Sequence, residues 1–304
     1  MKPKVFFELV EIKAKTASVF PFLMGTLYAW YHFHTLHLAE LVVFFIAMLL
    51  FNMAVDANDN YQDYRRAERE QADAFRERTN IIGREHLNPS MIGWLIAIMI
   101  AVSGALGLWM VSRTGWPLLG LGLFSFVVGY CYAGGPRPIS STPFGEFFSG
   151  FTMGFVIFLI AVYVNVFAVA PFTWSLVWPV LLASGLSQAA IAALLLANNI
   201  ADETEDKQLG RRTIVYYLGR KKSLVFFKAL YAAGYLALIA AVVVRAVPAL
   251  TLLTLATIPV VVKNVRAFVS RPVKTETFVM AIKNLFLITL AQVVFMALGV
   301  LFDL

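Results

Sequence analysis

Nine apolar runs, each close to the roughly 20 residues a membrane helix needs, recur near residues 17–35, 38–55, 91–111, 116–133, 147–170, 176–198, 225–244, 247–262 and 279–302. A helix of that length crosses about 30 Å of hydrocarbon while satisfying its own backbone. Nine of them leave little of a 304-residue chain for anything else. The expected fold is therefore all-α: a polytopic membrane protein with nine transmembrane helices. Composition excludes the alternatives. The chain is 60% hydrophobic and 14% charged, whereas soluble domains hold about 45–50% apolar and about 25% charged residues. Disorder, a nucleic-acid-binding domain and an ordinary soluble enzyme are ruled out, and the partner is the lipid bilayer.

The net charge of +7 says less than where the charges fall. Assigning the loops alternately to two sides places all but Arg113 and Arg245 of the 25 Lys and Arg on one side. Such asymmetry marks a cytoplasmic N-terminus, and one miscounted span would destroy it. Cys131, the single cysteine, permits no internal disulfide and no thiolate-rich zinc site. Lys2 and Lys4 precede only a short apolar run, broken by Glu8, Glu11, Lys13 and Lys15, so a removable signal peptide is not expected.

Within residues 3–15, Lys4, Glu8, Glu11 and Lys15 recur at helical spacing, with Val5, Phe6, Leu9, Val10 and Ile12 around the rest of the wheel. Residues 1–15 read as an amphipathic helix lying in the membrane interface. Lys13, alone among the apolar residues, is the candidate to point into a polar site beneath the bundle.

The chemistry sits in a repeat. Asp56-Ala-Asn-Asp59-Asn-Tyr-Gln-Asp63 ends the second apolar run, and Asn199-Ile-Ala-Asp202-Glu-Thr-Glu-Asp206 ends the sixth. Both follow [Asp/Asn]-x-x-Asp-x-x-x-Asp, and all three positions are separated by 143 residues. The repeat suggests two related four-helix units plus a ninth helix, forming one domain over residues 1–304, with the motifs at the start of cytoplasmic segments 56–90 and 199–224. Offsets of three and seven residues confine each acidic set to an arc of about 60°, provided that each helix continues past the membrane surface. Two such faces can share a ligand. Converging carboxylates repel unless divalent cations lie between them, and hard oxygen donors at a phosphate site favour Mg²⁺. The expected ligand is an Mg²⁺-diphosphate, with Asp59, Asp63, Asp202 and Asp206 as metal ligands and Asp56 and Asn199 alongside.

These paired motifs on nine spans resemble the UbiA superfamily of intramembrane aromatic prenyltransferases, over nearly the whole chain. Within it, four stretches are most similar to the 1,4-dihydroxy-2-naphthoate polyprenyltransferases of menaquinone synthesis. They are Lys15–Thr26, Asn58–Asp63, Tyr132–Pro138 with Gly145 and Glu146, and Asn198–Asp206 with Gly210–Thr213. The 4-hydroxybenzoate branch opens its first motif with Asn-Asp and follows it with Arg-Thr, whereas Val55 precedes Asp56 here and Glu68 stands where that Arg would be expected. The resemblance implies Mg²⁺-dependent transfer of a polyprenyl group from polyprenyl diphosphate to 1,4-dihydroxy-2-naphthoate, in the cell membrane.

A departing diphosphate needs cations besides metal. Lys207, Arg211 and Arg212 follow the second motif, Arg78 and Arg137 lie in cytoplasmic loops, and Lys283 lies just inside the last span. Tyr130 and Tyr132 precede a forced turn at Gly134-Gly-Pro-Arg-Pro138 and offer π-faces to a carbocation. His32, His34 and His37 lie across the bilayer from both motifs and read as interfacial. A secondary transporter, the rival class, would carry its ionisable residues inside its spans, whereas these motifs sit at one membrane face.

Overall fold

The computed structural model describes residues 1–69 and 73–302, and these contain helices and turns with no strand. Among the described residues seven helices are long and apolar enough to cross a bilayer. Trp174–Ala183 and Gly185–Ala201 make an eighth if the two, bent by 54° at their junction, form one broken span. The expected first crossing is the 18-residue helix Thr16–Phe33, whose apolar stretch is diluted by Tyr28, Trp30, Tyr31 and His32. Seven or eight candidate spans are thus evident, against nine expected from the sequence.

The chain divides into two compact units, Met1–Thr16 with Val42–Pro138, and Ala17–Leu41 with Ile139–Leu304. This is not the in-line order of four helices, four helices and one that the repeat suggested. The helix at 17–33 groups with the later half of the chain because its partners are there: Tyr28 meets Phe158 edge to face, and Phe20 meets Phe286.

In the first unit, the apolar run from residue 38 does not stop at 55. Helix Leu38–Arg69 runs for 32 residues, or about 48 Å at 1.5 Å per residue, well beyond the hydrocarbon thickness of about 30 Å. Its last turns carry Asp56, Asp59 and Asp63, so what reads as a loop from 56 is helix for another 14 residues. Asn88 caps the next long helix, Pro89–Thr114, by accepting from the amides of Ser90 and Met91, with Pro89 supplying a pre-set first turn. Leu9, Val10, Ala54, Ala57, Ile82 and Ile92 form this unit's buried cluster.

The N-terminal segment is not one amphipathic helix. Helix Pro3–Leu9 ends, Glu11 takes a left-handed conformation at φ 49°, and a 3₁₀ turn follows over Ile12–Lys15. A non-glycine residue in that region ends regular helix, which breaks the predicted polar stripe. It leaves Lys13 exposed and turns Lys15 inward to 4% exposure.

In the second unit, Gly145–Val166 opens as α-helix, widens into a π-helix over Gly150–Val156 and returns to α-helix. The widened turn packs directly on Gln188 of helix Gly185–Ala201. A methyl group on Gly154 would lie 2.7 Å from Gln188 Cα, and one on Gly150 would lie 2.6 Å from its carbonyl oxygen. Small residues replacing side-chain bulk is the usual device for close helix approach in lipid. Phe227, Leu238, Phe268, Leu196 and Ile288 build the apolar core around that helix. Gln292 stitches it by donating to the Ala183 carbonyl at 3.3 Å, and Ser187 donates to Gln292 at 3.2 Å.

Candidate active site

Each acidic motif is held by its own unit. In the first, helix Leu38–Arg69 presents Asn52 and Asp56 one turn apart, on one face by the i, i+4 geometry of a helix. The buried Lys15 ammonium bonds both, donating to Asn52 Oδ1 at 2.7 Å and pairing with the Asp56 carboxylate. Asp63 lies 3.9 Å from the Arg66 guanidinium. Asn60 donates to the carbonyl of Leu9 at 3.2 Å and receives, at its own carbonyl, the Asn80 amide at 2.8 Å. The N-terminal segment is thereby fastened to the motif helix. Outside this cluster, Arg84 and Glu8 pair at 2.6 Å, which raises the Arg84 pKa further through that hydrogen bond.

The second motif is not on one continuous helix. Gly185–Ala201 stops at Asp202, the C-cap residue, and a separate six-residue helix runs over Glu203–Gln208. Asn198 and Asp202, again four residues apart, share one ammonium, that of Lys274, with the Asn198 Oδ1 contact at 2.5 Å. Asp206 is buried and lies 3.3 Å from the Arg211 guanidinium, which also donates to the Ser140 carbonyl at 3.2 Å. The Asn199 amide donates to Glu146 at 2.8 Å, both residues being buried. Lys207 pairs with Glu203 at 2.7 Å.

The Asp206 carboxyl is pushed up to about 6, chiefly by burial, with Arg211 and Lys274 opposing the rise and Asp202 and Glu205 adding to it. Its Oδ2 and the Oε2 of Glu146 are buried with no hydrogen-bond partner. A buried acceptor left without a donor is costly, and a cation answers that cost. Among the described residues no three His, Cys, Asp or Glu side chains are arranged to hold an ion by themselves. The unpaired oxygens of Asp206 and Glu146 are hard donors of the kind that Mg²⁺ takes together with waters and substrate phosphates. The donor set of carboxylate oxygens, with no soft ligand, suits such a hard cation.

Of the residues expected from sequence, Asp56 has a lysine partner, Asp202 has another, and Asp206 and Arg211 come together. Asn199 turns its amide to Glu146 and not outward. Lys13, Arg78, Arg137 and Lys283 are exposed, and Tyr132 is partly buried. Sequence reasoning missed Lys15 and Lys274 as motif partners, and gave Glu146 no role.

A multi-pass helical membrane protein with duplicated acid-and-amide stations beside basic residues is equipped to bind an anionic, phosphate-bearing substrate at an apolar bundle. The UbiA prenyltransferase family matches residues 18–298, and the chain belongs to that family. The protein is accordingly a prenyltransferase.

The chain is 29% identical over 266 residues to the 1,4-dihydroxy-2-naphthoate octaprenyltransferase of Bacillus subtilis (strain 168), covering 88% of this chain and 82% of that one. A UbiA homolog from Aeropyrum pernix K1 matches with a TM-score of 0.70 at 21% identity, over 95% of this chain and 97% of that one. A UbiA homolog from Archaeoglobus fulgidus bound to GPP and Mg²⁺ matches with a TM-score of 0.63 at 11% identity, over 97% and 99%. At these identities the structural likeness speaks for the fold.

Proposed function

We propose that this prenyltransferase moves a polyprenyl group from polyprenyl diphosphate to 1,4-dihydroxy-2-naphthoate, in the cell membrane and with Mg²⁺. The observation that carries the acceptor is the likeness to the Bacillus naphthoate enzyme along 88% of the chain. Asp59, Asp63, Asp202 and Asp206 are the proposed Mg²⁺ ligands, and Arg211, beside Asp206, is the basic residue best set to receive diphosphate charge. Lys207, Arg78, Arg137 and Lys283 are proposed to add positive potential, and Tyr132 a π-face. When bound, Mg²⁺ would neutralise diphosphate oxygens and so favour their departure. Glu146 holds the Asn199 side chain by its amide, fixing one wall of the second motif. The apolar helices exclude water, so that the ring and not solvent takes the allylic carbon. In the net reaction the allylic C–O bond breaks, a C–C bond to the ring forms, and the ring carboxylate leaves as CO₂ to give demethylmenaquinol.

Purified protein incubated with Mg²⁺, a polyprenyl diphosphate and either 1,4-dihydroxy-2-naphthoate or 4-hydroxybenzoate should yield a product of the expected mass from the naphthoate alone. Prenylated hydroxybenzoate as the sole product would reassign the acceptor. No product from either, with transport of one of them, would replace enzyme by carrier.

We also propose that both motifs face the cytoplasm, on the strength of the charge asymmetry. Single cysteines at 204 and at 76, in a Cys131→Ser background, should resist an impermeant thiol reagent in intact cells and react in inverted vesicles. Labelling of position 204 from outside would overturn this orientation.

A further inference from the structure

The two motifs share a feature that the 143-residue repeat does not describe. Asn52 and Asp56 lie one turn apart, as do Asn198 and Asp202, and each of the two residues is 146 positions from its counterpart. Each Asn-x-x-x-Asp step is bridged by a single lysine ammonium, which takes the amide oxygen and the carboxylate together. The lysines themselves are unrelated in the chain. Lys15 precedes the first long helix, whereas Lys274 follows helix Ile258–Ser270, in a turn 72 residues beyond Asp202. Two different segments of chain thus deliver the same cation to the same kind of step. Their settings differ too, since the Lys15 side chain is 4% exposed and that of Lys274 is 45% exposed.

We propose that Lys15 and Lys274 are positioning residues that act as internal counter-cations of the two motifs, and that they couple metal binding to diphosphate binding. The inference rests on the metal-dependent reading above. Each ammonium holds one oxygen of its carboxylate together with the neighbouring amide oxygen, so a divalent ion arriving at Asp202 or beside Asp56 meets a cation already in place, and repulsion between the two favours release of the lysine. The released ammonium then lacks an anion, and a diphosphate supplies one. Metal alone therefore binds against an internal competitor, while metal with diphosphate binds without it. The coupling is reciprocal by thermodynamic necessity and falls in the typical range of about 5–150-fold.

The test measures Mn²⁺ binding by the loss of its free-ion spin-resonance signal. The full-length protein in lipid nanodiscs is titrated with and without an unreactive prenyl diphosphate whose bridging oxygen is sulfur. In the wild type the analogue should tighten Mn²⁺ binding at least fivefold. Lys274→Met should bind Mn²⁺ alone more tightly and lose most of that enhancement, while Lys274→Arg should keep it. Lys15→Met should do likewise. It leaves Asp56 without its buried cation, so Lys15→Arg is measured beside it, and a failure of Lys15→Met to fold leaves Lys274→Met and Lys15→Arg to decide. Enhancement in Lys274→Met equal to that of the wild type would overturn the proposal while leaving the metal reading intact. Absence of Mn²⁺ and analogue binding in the wild type would overturn both.

Discussion

Alanine at Asp59, Asp63, Asp202 or Asp206 is expected to lower turnover by at least about 100-fold, the scale of loss when one preorganised electrostatic group is removed from a reacting centre. Each variant should still insert and fold, because these side chains lie outside the buried apolar clusters. Groups that serve one step act as a unit. A double variant taking one aspartate from each motif should therefore lose little more than the worse single. Turnover and thermal unfolding measured together separate chemistry from folding. Two of the four singles with full activity would remove the proposed metal site, and strictly multiplicative losses would point to two independent sites.

The second large effect concerns folding. Gly154→Leu should destabilise the protein severely, because even the first carbon of the new side chain meets the Gln188 backbone at 2.7–2.8 Å. Overpacking a tight contact typically costs about 1–3 kcal/mol, and here the obstacle is backbone and not a flexible side-chain tip. The effect should exceed about 3 kcal/mol and show as a large fall in Tm in detergent, with poor recovery of folded protein. Gly122→Leu is the control, since nothing lies within 4 Å of a carbon added there. It removes a helix-weakening glycine worth about 1 kcal/mol. Equal Tm values for the two variants would refute the close packing of the π-helix on Gly185–Ala201.

The periodic part of this architecture was legible in the sequence because lipid imposes it: apolar length alone set the long helices, and seven or eight of the nine expected spans are evident. The acidic motifs were legible from their spacing, and Asp206 with Arg211 emerged as a pair. What could not be read depends on single dihedrals and on distant loops. A helical wheel over residues 3–15 assumes unbroken helix, so it singled out Lys13, and one left-handed residue at Glu11 gave the interior to Lys15 instead. Lys274 reaches its aspartate across 72 positions, a pairing that no local pattern encodes. Glu146 had a weak signal, a carboxylate at the mouth of an apolar run, and its meaning came from the Asn199 amide on another helix. The break at Asp202 turns on a single residue's backbone, at φ −92° and ψ 8°, which no residue type at that position announces.

The two-unit division has a consequence for how the chain is made. Residues 17–41 leave the ribosome early, yet the groups they bond come late. Thr35 donates to the Asn165 carbonyl, 130 positions on, and His32 bonds the Ala246 carbonyl, 214 positions on. At about 5–20 residues per second, the second of those partners follows after roughly 10–40 s. Through that interval His32 lacks its Ala246 partner, although the Phe158 and Asn165 partners of Tyr28 and Thr35 emerge earlier. The rings of Tyr28, Trp30, Tyr31 and His32 are tolerable in a membrane because they fall in the final turns of this helix, near the interface where Trp and Tyr are enriched. Two of the residues that dilute the apolar stretch of this helix, Tyr28 and His32, are then among those that dock it once the second half arrives.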